Sequence, residues 1–266
     1  MRIDRYSMEE LMDLYKINLD GVLHVGAHYC EELEVYHHHM GIPYNDMLWI
    51  EPVKEFCDHG RNRGVPNIYQ ALISNENGKE VDFNISNNGE SSSMLEFGTH
   101  KECHPQVEYV RQEKMITEKL DTFLAKNNLD PKKYHFWNID VQGAELMVLQ
   151  GGTDALQHAK MISIEVNEKE LYKGCALLPE IDDFLEKAGF ARVLTDIVPG
   201  CHWGDAIYIK RQTILDCISD NTASSLTLRI GLKNYVKKVE SFSVKDVFEI
   251  ISLSHKFKND IYDHMS

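Results

Sequence analysis

The sequence predicts an α/β fold: an open sheet of seven strands, mostly parallel, with an antiparallel last strand and a C-terminal helical appendage. Three observations carry this reading. Apolar strand-like segments alternate with helical patterns, the rhythm of a parallel sheet covered by helices on both faces. The last two strand-like segments have no helix between them, so they can form an antiparallel hairpin at a sheet edge. Three strands end in small or acidic residues, at Val25-Gly26-Ala27-His28, Ile50-Glu51-Pro52 and Ile139-Asp140-Val141-Gln142-Gly143. Ligands of open α/β sheets bind outside the carboxyl ends of the strands, so these three junctions point to one crevice.

The elements follow in order. Ser7 and Glu10 have capping-box spacing, and Leu11, Leu14 and Tyr15 give a short apolar face, so a helix precedes the first strand. Residues 21–27 read as strand one and 30–40 as a helix. Residues 47–51 read as strand two, with a helix from Val53. Strand three spans Ile68–Ile73 and stops at a turn rich in Ser, Asn and Gly. Residues 80–117 differ: an alternating strand, Val81–Ile85, leads into an irregular polar insertion. A helix over Glu118–Asn127 ends at Asp130-Pro131. Strand four covers 134–140, a helix 144–157 and strand five Met161–Val166. A helix over Pro179–Ala188 stops at Gly189, and Phe190–Thr195 and Ala206–Ile209 are strands six and seven. This order describes a Rossmann-like sheet without the repeated second half of a dehydrogenase.

Residues 211–266 break the rhythm. Their charge is near balance, Thr222–Ser225 reads as a linker, and Ser243 caps a helix carrying Val247, Ile250 and Ile251. The chain divides into a main domain, 1–210, and a helical extension of unknown role, 211–266.

Formal net charge is −14, which argues against nucleic acid as a partner, since its binders carry a basic face. No apolar run reaches the roughly 20 residues that span a bilayer, so no membrane partner is expected. Met1–Tyr6 lacks the apolar core of a signal peptide. The six cysteines are scattered without a C-x-x-C pair, so they read as reduced thiols in a cytoplasmic protein.

The junctions carry the chemistry. Gly26 lets a backbone approach a ligand closely, or it simply makes a tight turn; the loop lacks a full G-x-G-x-x-G. Glu51 ends strand two about 25 residues later, where a carboxylate can accept both ribose hydroxyls of an adenosine cofactor. Asp140 ends strand four, and Glu145 follows in a first helical turn, where it complements the helix dipole. Glu165 sits between Ile164 and Val166, and a carboxylate there is costly to bury unless paired or bound. His202, between Cys201 and Trp203-Gly204-Asp205, reads as a general base or as an exposed loop histidine. His37-His38-His39 occupy consecutive helical positions that point apart, so they read as a solvated face. Ser91-Ser92-Ser93 forms a polar loop in the insertion.

Together these residues resemble the FkbM family of S-adenosylmethionine-dependent methyltransferases. The resemblance rests on Val25–His28, Ile50-Glu51-Pro52, Ser91–Leu95, Lys119-Leu120-Asp121, Asn138–Glu145, Ile164-Glu165-Val166 and Gly204–Tyr208. It runs from about residue 20 to 210, and D-x-Q-G-x-E is its most specific block. It implies methyl transfer to a hydroxyl oxygen of a small molecule, sugar or glycan. S-adenosylmethionine is then the cofactor, with Gly26, His28, Glu51, Ser93 and Asp140 around it. Asp140, Glu165 and His202 are the catalytic candidates nearest the acceptor. A Mg²⁺ held by Asp140 and Glu165 is open but not favoured, because two carboxylates on different strands are explained without an ion; no metal ligand is assigned. The chain departs from the family at His24, where Asp is usual, and at Cys30, where Gly is usual. The missing acid turns attention to His28 and Glu31 near the cofactor's methionine end.

Three other readings stand beside this one. A catalytically degenerate methyltransferase fold would act as a cofactor- or partner-binding module; His24 and Cys30 favour it, while Asp140, Glu145 and Glu165 oppose it. A nucleotide-dependent oxidoreductase lacks its pyrophosphate loop here. RNA methylation is disfavoured by the acidic charge. The sequence does not name the acceptor or the oligomeric state.

Overall fold

A computed structural model describes residues 5–219. Four strands form the centre of the main sheet: β1 (Val22–Val25), β2 (Met47–Glu51), β7 (Phe136–Ile139) and β8 (Met161–Asn167). All four are buried along their whole length, as expected of parallel strands covered on both faces. With β3 (Ile68–Gln70), β9 (Phe190–Ile197) and β10 (Trp203–Lys210) they form a seven-stranded sheet in the order β3-β2-β1-β7-β8-β10-β9. The pairs among β3, β2, β1, β7 and β8 are parallel. Strand β10 runs antiparallel between β8 and β9, so the last strand is inserted and β9 forms the edge. The expected fold class is therefore found.

Successive residues of the strands feed two cores. Val22, Trp49, Phe136, Met161 and Ile207 pack on one face, against α1 (Arg5–Tyr15), α2 (Leu33–His38), α3 (Lys54–Asn62) and α8 (Arg211–Ser219). Leu23, Leu48, Trp137, Ile162 and Tyr208 pack on the other, against α5 (Leu120–Lys126), α6 (Glu145–Gly151) and α7 (Leu178–Lys187). The two-residue period of a strand does this sorting. The chain builds outward from β1 to β3 and then returns to β7 beside β1. The order reverses between β1 and β7, and that switch point opens the crevice.

Several expectations are corrected. The apolar run 68–73 is two strands. Its pairing with β2 ends at Glu51–Gln70: the last bond runs from the Ala71 amide to the Glu51 carbonyl, and the Val53 amide, next in that register, donates to Glu51 Oε1 instead. The next residues, β4 (Leu72–Ser74), join a second sheet ordered β4-β6-β5, with β5 (Glu80–Ser86) and β6 (Tyr109–Lys119). The insertion read as irregular thus holds an 11-residue strand and a short helix, α4 (His100–Cys103). The helix read over 144–157 stops at Gly151-Gly152, where a β-carbon on Gly151 would meet the Ser74 carbonyl at 2.1 Å. A 3-10 turn over Ala155–His158 follows, and the Asp121 carboxylate accepts from the amides of Asp154 and Ala155 at 3.0 and 2.9 Å. Helix α1 begins at Arg5, so Ser7 lies inside it rather than at its cap. The helix expected over 30–40 is only α2, because residues 26–32 form the crevice loop.

The cysteines are also corrected: Cys103 and Cys201 form a disulfide, while Cys30, Cys57, Cys175 and Cys217 are free and buried. The partners are 98 residues apart in sequence, and only the fold brings the end of α4 to the β9–β10 turn. The linker at Thr222 and the helix from Ser243 lie outside the described residues. Among the described residues, no helix is long and apolar enough to cross a membrane.

Candidate active site

The crevice is a cavity of about 510 Å³, within the range of small-molecule sites. A narrow slot adjoins it, and the two share Gly26, His28, Glu90, Asp140 and Gln142 in their walls.

The floor is set by backbone packing. A β-carbon on Gly26 would lie 1.7 Å from the Asp140 carbonyl oxygen, so only glycine lets the two strand-end loops cross. The close approach that Gly26 permits is therefore to its own chain. Alternate residues of its loop, Gly26, His28 and Cys30, have positive φ of 87°, 43° and 57°. Two of these carry side chains, and each costs the strain that glycine would avoid.

The Glu51 carboxylate is buried and faces the slot. One oxygen accepts from the Val53 amide at 2.8 Å and the other from the His28 amide at 2.9 Å. Burial pushes its pKa up to about 7, and the two backbone donors hold it down against that push. Each oxygen keeps a lone pair, and the rest of the slot is largely apolar, with Pro52, Phe56, Ile73, Met94 and Val141. A flat heteroaromatic base next to a diol suits such a lining. The His28 ring meets Tyr29 at a tilt and Phe56 edge-on, its Nδ1 meets Glu31 at 2.7 Å, and its Nε2 is buried without a partner. Burial lowers its pKa, but Glu31, Glu51 and Glu90 outweigh this and raise it overall.

Gln142 ties the acidic end together. It has a left-handed φ of 57°. Its amide Nε2 donates to Asp140 Oδ1 at 2.6 Å and also to Glu165 Oε2, and its Oε1 accepts from the Tyr172 hydroxyl at 2.5 Å. Glu165 is buried, lies opposite Asp205 in the β8–β10 register and faces Asp140. Burial first, and then the neighbouring carboxylates, raise its pKa well above the usual range and favour its protonated form. Glu145 does more than complement a helix dipole: its Oε1 accepts from the amides of Val141 and Gly143 at 3.1 and 3.0 Å. It fixes the turn that presents Gln142.

The remaining candidates are distributed unevenly. Ser93 is fully buried and donates to the Gln142 carbonyl at 2.7 Å, so it props the turn and does not line the cavity. His202 lies outside the cavity walls, with its Nδ1 3.1 Å from Glu168 Oε2. Its neighbours Trp203 and Asp205 do line the cavity. His24 lines it too, but its Nδ1 is engaged by the Tyr36 hydroxyl at 3.1 Å and its Nε2 by Asn138 at 3.3 Å. Burial lowers its pKa, so it is neutral. Glu31 and Glu32 also border the cavity, and Glu32 lies 3.9 Å from His24 Nδ1. His37, His38 and His39 point to Tyr44, Glu34 and Glu9 respectively, away from one another's partners. Among the described residues, no group of three or more His, Cys, Asp or Glu side chains is arranged to hold a metal.

Gln142, Tyr172 and His100 were not singled out from the sequence. Gln142 lies inside the D-x-Q-G block, and that position was the available signal. Tyr172 and His100 have no linear signal: the bridge between Phe97 and Tyr172 lies beside His100, which lines the cavity, while Tyr172 is buried and bonded to Gln142.

Comparison with known proteins gives three findings. The family model described as the methyltransferase FkbM domain matches residues 24–191. The 2-O-methyltransferase NoeI of Sinorhizobium fredii is 30% identical over 125 residues, covering 44% of this chain and 50% of that protein. The chain thus matches about half the length of this curated relative. Among solved structures, the FkbM methyltransferase of Methylobacillus flagellatus is 15% identical, covering 71% of this chain and 44% of that one, with a TM-score of 0.47. The magnesium protoporphyrin IX methyltransferase of Synechocystis, with bound S-adenosylmethionine, is 9% identical over 77% of each chain, with a TM-score of 0.38.

Proposed function

This chain belongs to the methyltransferase FkbM domain family, and we propose that it transfers a methyl group from S-adenosylmethionine to a hydroxyl oxygen of a small molecule, sugar or glycan. One observation carries the reading: the Gly26–Asp140 crossing joins a carboxylate-edged apolar slot to an acidic cavity at the switch point of the sheet. The name of NoeI, a 2-O-methyltransferase, supports oxygen as the methyl acceptor.

The residues fit the cofactor on their own chemistry. Glu51 has lone pairs for two ribose hydroxyls, and the slot beside it suits an adenine. Glu31, Glu32 and Asp140 border the cavity, and among the described residues no lysine or arginine does, which suits a ligand with a positive sulfonium and an ammonium. When bound, S-adenosylmethionine supplies an electrophilic methyl carbon.

We assign the chain's own groups as follows. Glu51 holds the ribose. Gln142 fixes Asp140 and Glu165 in one orientation and excludes water from between them. Asp140, bordering both slot and cavity, accepts the proton of the acceptor hydroxyl. Glu165, whose protonated form burial favours, lies beside Asp140 and shares the Gln142 donor with it. Orientation of the acceptor oxygen by these fixed groups supplies much of the rate.

Calorimetry with S-adenosylhomocysteine, using NAD as the control ligand, tests the cofactor. Transfer of labelled methyl to a hydroxyl panel tests the reaction. Binding of NAD in place of S-adenosylhomocysteine would overturn the reading.

A further inference from the structure

The far wall of the cavity holds a group that the proposed function does not use. His100 opens α4, is 3% exposed and lines the cavity. Its Nδ1 is buried without a hydrogen-bond partner. An unpaired buried polar atom is costly, and such atoms at a cavity wall are commonly satisfied by a ligand or water.

The ring is held firmly. It stacks on Phe97 at 4.4 Å and lies 5.5 Å from the Tyr172 ring. Its backbone amide donates to the Leu171 carbonyl at 3.2 Å. Tyr172 in turn donates to Gln142, so two residues, Tyr172 and Gln142, connect His100 to the pair formed by Asp140 and Glu165. The Cys103–Cys201 disulfide anchors the end of the same helix to the turn that carries Trp203. His104 bridges the two sides, 5.0 Å from His100 and 5.9 Å from Trp203, ring to ring. Burial lowers the His100 pKa to about 4, with His104 and Lys101 adding to the effect, so the imidazole is neutral across the physiological range. A neutral imidazole both donates and accepts one hydrogen bond.

The charge of the wall restricts the partner. Glu90, Asp140 and Asp205 border the cavity, and among the described residues no lysine or arginine opposes them. The carboxylates of this wall disfavour a phosphate or carboxylate. Trp203 adds an aromatic surface on which the C–H face of a ring can pack.

We propose that His100 is an acceptor-binding residue: it hydrogen-bonds a hydroxyl of a neutral polyhydroxyl acceptor, next to the hydroxyl that reacts. This rests on the methyltransferase reading above. It makes His100 a specificity residue that fixes the acceptor, while the cofactor is held by the opposite wall.

The test uses the full chain. S-adenosylhomocysteine binding is measured by calorimetry for wild type, His100→Phe and His100→Gln. Labelled-methyl transfer is then measured on neutral methyl hexopyranosides and on the corresponding hexose 6-phosphates. The expected result is unchanged S-adenosylhomocysteine affinity in all three proteins and transfer to a neutral glycoside but not to its phosphate. His100→Phe keeps the ring stacking and loses the nitrogens, so the acceptor KM rises roughly tenfold, the scale of one lost hydrogen bond to a buried partner, with kcat little changed. His100→Gln restores part of the loss. A purely structural role would instead move cofactor binding and kcat together. No S-adenosylhomocysteine binding by wild type overturns the functional reading and the inference with it. Binding without transfer to any neutral glycoside, equal transfer to the phosphates, or an unchanged KM in His100→Phe overturns the inference alone.

Discussion

Gly26 and Asp140 meet through backbone alone: a β-carbon on Gly26 would lie 1.7 Å from the Asp140 carbonyl oxygen. The Asp140 amide meanwhile donates to the Val25 carbonyl at 3.0 Å. The loops after β1 and β7 are therefore locked to each other before any ligand arrives. Substituting Gly26→Ala adds a clash with backbone and strain at a φ of 87°. We expect a loss of about 2–4 kcal/mol in stability, measured by urea denaturation. A loss below about 0.5 kcal/mol would show that the loops part easily.

Glu51 gives a pH dependence with a defined sign. Its folded pKa, about 7, lies above the ordinary carboxylate value, because burial favours the protonated form. Its contribution to stability is thus present in full below the unfolded pKa and is lost as pH rises through about 7. Ribose hydroxyls prefer the ionised carboxylate, so cofactor affinity runs the other way and increases from pH 5 to 8. Glu51→Ala should weaken S-adenosylhomocysteine binding by about 1–3 kcal/mol and flatten this dependence. Calorimetry across pH checks both, and unchanged affinity removes Glu51 from the ribose.

Asp140 and Glu165 should respond differently to amidation. Burial favours the protonated form of Glu165, and Glu165→Gln, a neutral isostere of that form, keeps an oxygen that accepts from Gln142. Turnover in that variant should fall less than about threefold. Asp140→Asn removes the proposed proton acceptor and should cost at least about 100-fold, the scale of general-base catalysis. Equal losses in steady-state kinetics would contradict the assignment of separate roles.

Gln142 separates strain from chemistry. It occupies left-handed backbone, which glycine adopts without cost. Gln142→Gly should therefore relieve backbone strain, while the buried Tyr172 hydroxyl loses its acceptor and Asp140 and Glu165 lose their common donor, so the two effects on the melting temperature oppose each other. We expect a fall in turnover of roughly tenfold or more, since fixed orientation supplies the rate. Thermal melts and kinetics on the same preparation distinguish the two effects.

The Cys103–Cys201 bridge closes a span of 98 residues. Loop-closure entropy of that length corresponds to about 4–5 kcal/mol, an upper value for a folded domain. Reduction, or the pair Cys103→Ser and Cys201→Ser, should lower the melting temperature and loosen α4. Thiol titration of the unfolded chain should count four free cysteines before reduction and six after. Six before reduction would mean that the bridge does not form.

The physical chemistry of single segments made much of this legible. Parallel strands are buried on both faces, so β1, β2, β7 and β8 read as apolar runs, and their polar ends mark the crevice. Glu51 and Asp140 lie in its walls as their strand-end positions implied. Ser93 and His202 do not, because nothing in a local pattern says whether a polar residue turns toward the cavity or toward a neighbouring loop. Ser93 turns to the Gln142 carbonyl and His202 to Glu168.

The sequence by itself determined the sheet, the direction of its strands and the end at which the site opens, because burial periodicity and strand-end residues are properties of short segments. Tertiary structure alone decided the rest. It split the run 68–73 between two sheets, joined Cys103 to Cys201, raised the Glu165 pKa by burying it beside Asp140 and Asp205, and brought His100 to the cavity wall. Each of these depends on residues distant in sequence meeting at van der Waals or hydrogen-bond range, and on how far burial removes them from water, neither of which a linear pattern encodes.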